Sequence, residues 1–225
     1  MPAILLLVRH GETTGESSIR LNGSTDVPLS DLGRAQMAAV GAHLASFAVR
    51  DVVTTPLQRA RESARIALPA FEPISVPELR EIDFGAWERL TYAEVRERDQ
   101  ERYAEMLRGL PGFTFPGGES REGFSKRVGD AVHSWIGTSV PRFDGIRVVV
   151  AHKGTLKTIR KSLEAAGALV SAPGPIASEG APAIPSCHLG SVSELVWGPS
   201  GWELVRWDDT RHLGEHFQPD HPVTR

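Results

Sequence analysis

Apolar and polar residues along the chain alternate between short unbroken apolar runs and longer stretches in which apolar positions recur every three or four residues. Ile4 to Val8 is a continuous apolar run that stops at Arg9-His10-Gly11, the pattern of a strand buried on both faces of a mostly parallel sheet. From Ser30 onward Met37, Val40, Leu44 and Phe47 follow at helical spacing, with Ser30 placed to cap, and Asp51 to Thr54 predicts a second strand. Thr55-Pro56-Leu57-Gln58 predicts a helix start, with Thr55 as cap, Pro56 at the first helical position and Gln58 closing a capping box. That start puts Arg59 in a first turn, where a cation opposes the helix dipole and a bound anion would relieve it.

Glu88 to Arg108 is charged and helical in pattern, and Gly109 to Gly118 is a Gly-, Pro- and Phe-containing loop, together predicting a small cap. Phe124, Val128, Ala131 and Trp135 make Arg121 to Ile136 an amphipathic helix, and Ile146 to Ala151 is another all-apolar strand that ends at His152. A helix from about Thr155 to Ala166 follows. Gly167 to Ser186 is rich in Ala, Gly, Pro and Ser without apolar period and reads as a flap. Val192 to Trp197 and Trp202 to Trp207, separated by Gly198 to Gly201, predict an antiparallel hairpin, and the tail beyond Leu213 is expected to fray.

This order predicts a three-layer α/β/α sandwich with a mostly parallel central sheet. It forms a single domain over residues 1–213, with a cap insertion at about 86–120, a flap at about 167–188 and a tail at 214–225. In such sheets ligands collect beyond the carboxyl ends of the strands. Arg9-His10-Gly11, Arg59 and His152 all fall there.

Composition narrows the function classes. The 225 residues are 40% hydrophobic and 24% charged, ordinary for a globular enzyme. A net charge of -3 without a Lys/Arg cluster argues against nucleic acid as a partner. Cys187 is the single cysteine, which precludes an intramolecular disulfide and reads as a packed thiol. The apolar run at the N-terminus is too short for a signal or membrane segment, so a cytoplasmic setting without a membrane partner is expected.

Transfer of a phosphoryl group needs fixed donors around its equatorial oxygens and a nucleophile in line with the leaving oxygen. Arg9 and Arg59 offer planar, permanently charged donors, and His152 can add one more. His10 suits the nucleophile, since a neutral imidazole can attack through one nitrogen while a backbone acceptor holds the other. Glu81, in Leu79-Arg80-Glu81-Ile82-Asp83-Phe84-Gly85, suits the proton donor to the leaving oxygen, with Asp83 and Glu88 as neighbouring alternatives. No His/Asp/Glu cluster has metal-ligand spacing, so neither a metal nor a cofactor is expected.

These residues form part of an ordered set: Val8-Arg9-His10-Gly11-Glu12-Thr13, Gly23 with Asp26-Val27-Pro28-Leu29-Ser30 and Gly33, Thr55-Pro56-Leu57-Gln58-Arg59-Ala60, Glu81-Ile82-Asp83-Phe84-Gly85-Ala86-Trp87-Glu88, Pro116-Gly117-Gly118-Glu119-Ser120, and Val150-Ala151-His152. From about Ile4 to Leu213 the set resembles the histidine phosphatase superfamily, also called phosphoglycerate mutase-like. The resemblance implies His10 as phosphoacceptor, Arg9, Arg59 and His152 as the phosphate pocket, Glu81 as proton donor, and Asn22-Gly23 near a small phosphorylated substrate. Two positions depart from it. Glu16 stands where the family commonly has Asn, and Lys153 where it commonly has Gly; both are expected to flank the pocket, either with Lys153 pairing with Glu16 or offsetting its charge, or with Glu16 turned to solvent and Lys153 an unrelated surface charge.

The resemblance leaves three activities open. A phosphatase hydrolysing a phosphomonoester is favoured over a mutase, because the 71 positions between Glu81 and His152 are a shorter insertion than mutases of the family typically carry. A catalytically inactive binding protein of the same superfamily is disfavoured by retention of His10, both arginines, Glu81 and His152. Oligomeric state is not readable from the pattern.

Overall fold

Alternate residues of the central strands belong to two different cores, which is what a sheet covered on both faces requires. The structure, a computed structural model, describes residues 2–110, 112–170 and 186–219. Its strands are β1 (Ile4–Arg9), β2 (Val49–Thr54), β3 (Ile74–Ser75), β4 (Ile146–Ala151), β5 (Leu169–Val170), β6 (Val192–Gly198) and β7 (Gly201–Asp209). Among the described residues they form one sheet in the order β3-β2-β4-β1-β6-β7-β5, in which only β6 runs antiparallel to its neighbours. The sheet is therefore mostly parallel, as the pattern predicts.

Leu5 and Leu7 of β1, Val53, Val149 and Ala151 face a core shared with α5 (Arg121–Ala131) and α6 (Lys153–Ala165). Leu6, Val8, Val52, Val148 and Val150 face one shared with α1 (Asp31–Leu44) and α2 (Gln58–Ala67). The three-layer α/β/α arrangement follows from this period-two partition of apolar strands. The cap region joins the first core through Val95, Tyr103, Met106, Phe113 and Phe115.

Pairing registers bring the site together. Arg9 lies beside Ala151, and Thr54 beside Val150, so β1, β2 and β4 finish at one edge and deliver His10, Thr55 and His152 side by side.

Several local predictions are corrected. The helix after β2 opens at Gln58 with Leu57 as its non-capping N-cap residue, not at Thr55. The Gln58 amide donates instead to the Asp26 carboxylate at 2.6 Å. The cap stretch is two short helices, α3 (Tyr92–Arg98) and α4 (Gln100–Leu107), broken at Asp99, whose carboxylate accepts from the Trp87 indole. The helix predicted to run to Ile136 changes to π-type bonding over Val132–Ile136 and stops at Gly137, which has φ +88° and whose carbonyl accepts the Trp202 indole N–H. Helix α6 begins at Lys153, directly after β4. The segment expected to fray beyond Leu213 continues a 3-10 helix over Arg211–His216, tied down by the Gln36 amide donating to the His216 carbonyl. Of the predicted flap, Leu169–Val170 pairs with β7, and residues 171–185 lie outside the described residues.

Candidate active site

Gly11 explains how the loop after β1 holds its course. A Cβ there would come within 2.4 Å of the Gly33 carbonyl, and one on Gly33 within 1.9 Å of the Glu12 carbonyl, so this loop and the first turn of α1 meet backbone to backbone. The Gly11 amide donates to Ser63 of α2, and the His10 amide to the Ala151 carbonyl of β4. His10 is thereby fixed between two elements.

A carbonyl can only accept, so the 2.7 Å contact between His10 Nδ1 and the Gly11 carbonyl places the ring proton on Nδ1 and leaves the lone pair on Nε2. Burial, reinforced by the nearby charges of Arg59 and Arg9, holds the His10 pKa well below its ordinary 6.5. The ring is neutral at neutral pH and its free nitrogen is nucleophilic.

His152 lies 5.1 Å away, ring centre to ring centre. Its Nδ1 accepts from Arg59 Nε at 3.3 Å, so Nε2 carries the proton and donates to Thr55 Oγ1 at 2.9 Å. Burial and Arg59 also lower the His152 pKa well below 6.5. Both ring nitrogens thus have protein partners here. Thr55, predicted to cap a helix, is a hydroxyl partner of the site.

Arg59 is 0% exposed, and its guanidinium is spent largely on backbone. Nη1 donates to the Thr25 carbonyl at 2.8 Å, and Nη2 to the carbonyls of Asn22 at 2.8 Å and Gly23 at 2.9 Å. Burial lowers its pKa to about 10, still fully charged at neutral pH. Arg9, also buried, donates to the Cys187 carbonyl at 2.6 Å and the Ser17 carbonyl at 3.4 Å. Cys187 is itself a buried thiol whose pKa burial raises to about 11.

Glu81 is buried at the start of α6. One carboxylate oxygen accepts from Ile82 N at 3.0 Å and the other from Gly154 N at 2.7 Å. Burial raises its pKa above 4.5, against the opposing pull of those two amides and of Arg59 and Arg9. A Cβ on Gly154 would lie 2.4 Å from this carboxylate, so a larger residue there would displace it. With both histidines held neutral, the two guanidinium groups are the site's positive charges, and burial pushes Glu81 toward its protonated form.

The 22–25 segment is held from both sides. Asn22 Nδ2 donates to the Gly15 carbonyl at 2.7 Å while its side-chain oxygen is buried without a partner among the described residues. Gly23 passes so close to the 82–84 segment that a Cβ would lie 1.9 Å from the Ile82 carbonyl. The alternatives to Glu81 are committed elsewhere: Asp83 accepts from Ser24 and Gly85, and Glu88 from the 23–25 backbone.

Glu16 forms an ion pair at 2.8 Å with Arg20, which also reaches Glu94 of α3 at 3.0 Å. Glu16 is 58% exposed at its side chain and adopts φ +55°, a left-handed conformation that Asn takes more readily than Glu. Gly154 escaped the sequence reading, and Thr55, Asp26 and Glu88 entered it only as a helix cap, a motif member and an alternative acid, because their bonding partners lie far along the chain. No group of three or more His, Cys, Asp or Glu side chains is placed to hold a metal ion among the described residues. None of the described helices is long and apolar enough to cross a membrane.

The profile of the histidine phosphatase superfamily (branch 1) matches residues 5–210, and the chain belongs to that superfamily. It is 39% identical over 130 residues to the Mycobacterium tuberculosis "Bifunctional protein Rv2228c", a match covering 56% of this chain and only 35% of that protein. It is 27% identical over 213 residues to the Yersinia enterocolitica "Probable phosphoglycerate mutase GpmB", covering 93% of this chain and 94% of the other. The solved structure of Bacillus stearothermophilus YhfR superimposes with a TM-score of 0.75 at 25% identity, covering 94% of this chain and 99% of that one.

The tautomer of His10 is directly measurable. Long-range proton–nitrogen spectra should show His10 protonated at Nδ1 and neutral at pH 6.5; a ring that is cationic there, or protonated at Nε2, would contradict the geometry.

Proposed function

We propose that the chain is a metal-independent phosphatase that hydrolyses a small phosphomonoester through phosphohistidine on His10, with Glu81 as proton donor. The observation that carries this reading is the Nδ1–H of His10 bound to the Gly11 carbonyl, which leaves Nε2 as a neutral nucleophile within the influence of the Arg59 and Arg9 charges. The Nε2 lone pair attacks phosphorus as the ester P–O bond breaks, and Glu81 gives its proton to the departing alkoxide. The resulting carboxylate then takes a proton from water, whose oxygen displaces phosphate from His10 and returns the lone pair to Nε2. Arg9, Arg59 and His152 form the phosphate pocket, with Asn22 and Gly23 beside it. The guanidinium charges supply the stabilisation that a metal could otherwise provide.

A cytoplasmic setting and a small phosphorylated substrate, with neither nucleic acid nor membrane as partner, complete the proposal. The sequence's single cysteine and net charge of -3 support it. The mutase reading draws support from the name of the Yersinia relative. The shorter Glu81-to-His152 interval favours hydrolysis. Incubation with 3-phosphoglycerate and catalytic 2,3-bisphosphoglycerate separates the two: phosphate release should outrun isomerisation, and the reverse order would overturn the choice.

The pKa directions fix the pH dependence. Activity needs neutral His10 and protonated Glu81, so kcat/KM should fall on the acid side at a pKa well below 6.5 and on the alkaline side at one above 4.5. Glu81→Gln should abolish the alkaline limb and slow alkyl phosphates by roughly 10²- to 10⁴-fold, with a much smaller loss for activated aryl phosphates. An equal loss across the leaving-group series would assign the proton to another group.

A further inference from the structure

Glu88 lies outside the set of groups just assigned chemistry, yet its carboxylate gathers an unusual number of donors. Oε2 accepts from Gly23 N at 3.1 Å, Thr25 N at 3.1 Å and Thr25 Oγ1 at 2.5 Å. Oε1 accepts from Ser24 N at 2.9 Å and Phe84 N at 3.0 Å. Three consecutive amides of one loop converge on a single side chain, the arrangement by which a backbone nest holds an anion.

The same loop presents its carbonyls in another direction. Those of Asn22, Gly23 and Thr25 take the three terminal hydrogen bonds of Arg59, and Asp26, next along the chain, receives the first amide of α2, the helix on which Arg59 rides. The amides of the loop therefore belong to Glu88 and its carbonyls to Arg59. Two rigid peptide planes, Asn22–Gly23 and Gly23–Ser24, each carry a carbonyl bound to Arg59 and an amide bound to Glu88, so turning either amide away from Glu88 turns its carbonyl away from Arg59.

We propose that Glu88 is a positioning residue that acts through the 22–25 loop to set the orientation of the Arg59 guanidinium at the phosphate. This deepens the phosphatase reading and rests on it. Glu88 contacts neither His10 nor a reacting atom in this account. Its negative charge matters because five donors converge on it, and charge-assisted bonds of this kind are about twice as strong as neutral ones. A glutamine could accept only through one of its two heteroatoms and would aim an N–H at some of the same donors.

The role separates cleanly from that of an acid. Losing a proton donor spares good leaving groups, whereas misaligning Arg59 weakens the grip on the phosphoryl group whatever leaves. Glu88→Gln should therefore lower kcat/KM by about 10-fold or more, equally for alkyl and activated aryl phosphates, and weaken inhibition by inorganic phosphate in parallel.

The deciding experiment is a double-mutant cycle between Glu88→Gln and Arg59→Lys, read as kcat/KM and as the inhibition constant of inorganic phosphate. Circular dichroism and thermal unfolding of each variant confirm a folded protein. If Glu88 acts through Arg59, the loss on Glu88→Gln nearly disappears in the Arg59→Lys background, and Glu88→Asp, which keeps the charge, recovers part of the wild-type phosphate affinity. Losses that multiply independently, a leaving-group-dependent loss, or wild-type phosphate inhibition in Glu88→Gln would each overturn the proposal. His10→Ala in parallel keeps the two readings distinct. An active His10→Ala would remove the phosphohistidine reading itself, while an inactive one beside an unaffected Glu88→Gln would remove only the role of Glu88.

Discussion

A guanidinium sealed from solvent has to find its acceptors inside the protein, and Arg59 finds them in the carbonyls of one loop. Much of the site is arranged around that requirement. The loop from Asn22 to Asp26 must lie where α2 can reach it, which demands glycine at 23 against the Ile82 carbonyl and a carboxylate at 88 to occupy its amides. The segment that carries Glu88 also carries Glu81, whose carboxylate accepts from the Gly154 amide in the first turn of α6, where glycine leaves it room. Arg59 itself donates to His152 and so fixes that ring's tautomer. One buried cation thus links α2, the loop after His10, the 81–88 segment and the end of β4.

Electrostatics follow from the same burial. Desolvation pushes both histidines toward neutrality and Glu81 toward its protonated form, while Arg59, lowered to about 10, keeps its charge. The cost in stability has a definite sign. His10 and His152 have folded pKa values below the unfolded 6.5, so the unfolded chain binds more protons as the pH drops below 6.5, and these two groups favour unfolding progressively until their folded pKa values are reached. Glu81, raised above 4.5, behaves oppositely. It contributes most below 4.5 and loses that contribution as the pH rises through its folded pKa.

The strands and the residues at their ends were readable because an all-apolar run allows little but a strand buried on both faces, and His10 and His152 directly follow such runs, while Arg59 lies in the helix after β2. Thr55 was misread for a physical reason. The Thr-Pro-Leu-Gln pattern is a genuine local capping signal, but the hydroxyl has a partner 97 positions away, and the cap of α2 is Asp26, 32 positions upstream. The π-type turns at Val132–Ile136 end at Gly137, whose carbonyl is held by the Trp202 indole 65 positions away, a contact equally invisible in local spacing. Carboxylates that serve backbone amides, such as Glu88 and Asp26, leave no signature in side-chain spacing. For Glu16 the sequence left a place beside the pocket and a turn to solvent both open, and the structure pairs its half-exposed carboxylate with Arg20, a neighbour four residues on.

The central claim is that His10 Nε2 carries the phosphoryl group between two transfers. Rapid acid-free quenching of the enzyme during turnover of a labelled phosphomonoester, followed by peptide mapping, tests it most directly. The account predicts base-stable, acid-labile phosphate on the peptide containing His10, formed and lost at rates that match turnover, with none on a His10→Ala variant that no longer releases phosphate. Turnover at the wild-type rate by His10→Ala, or labelled phosphate on a different residue at kinetically competent rates, would contradict it.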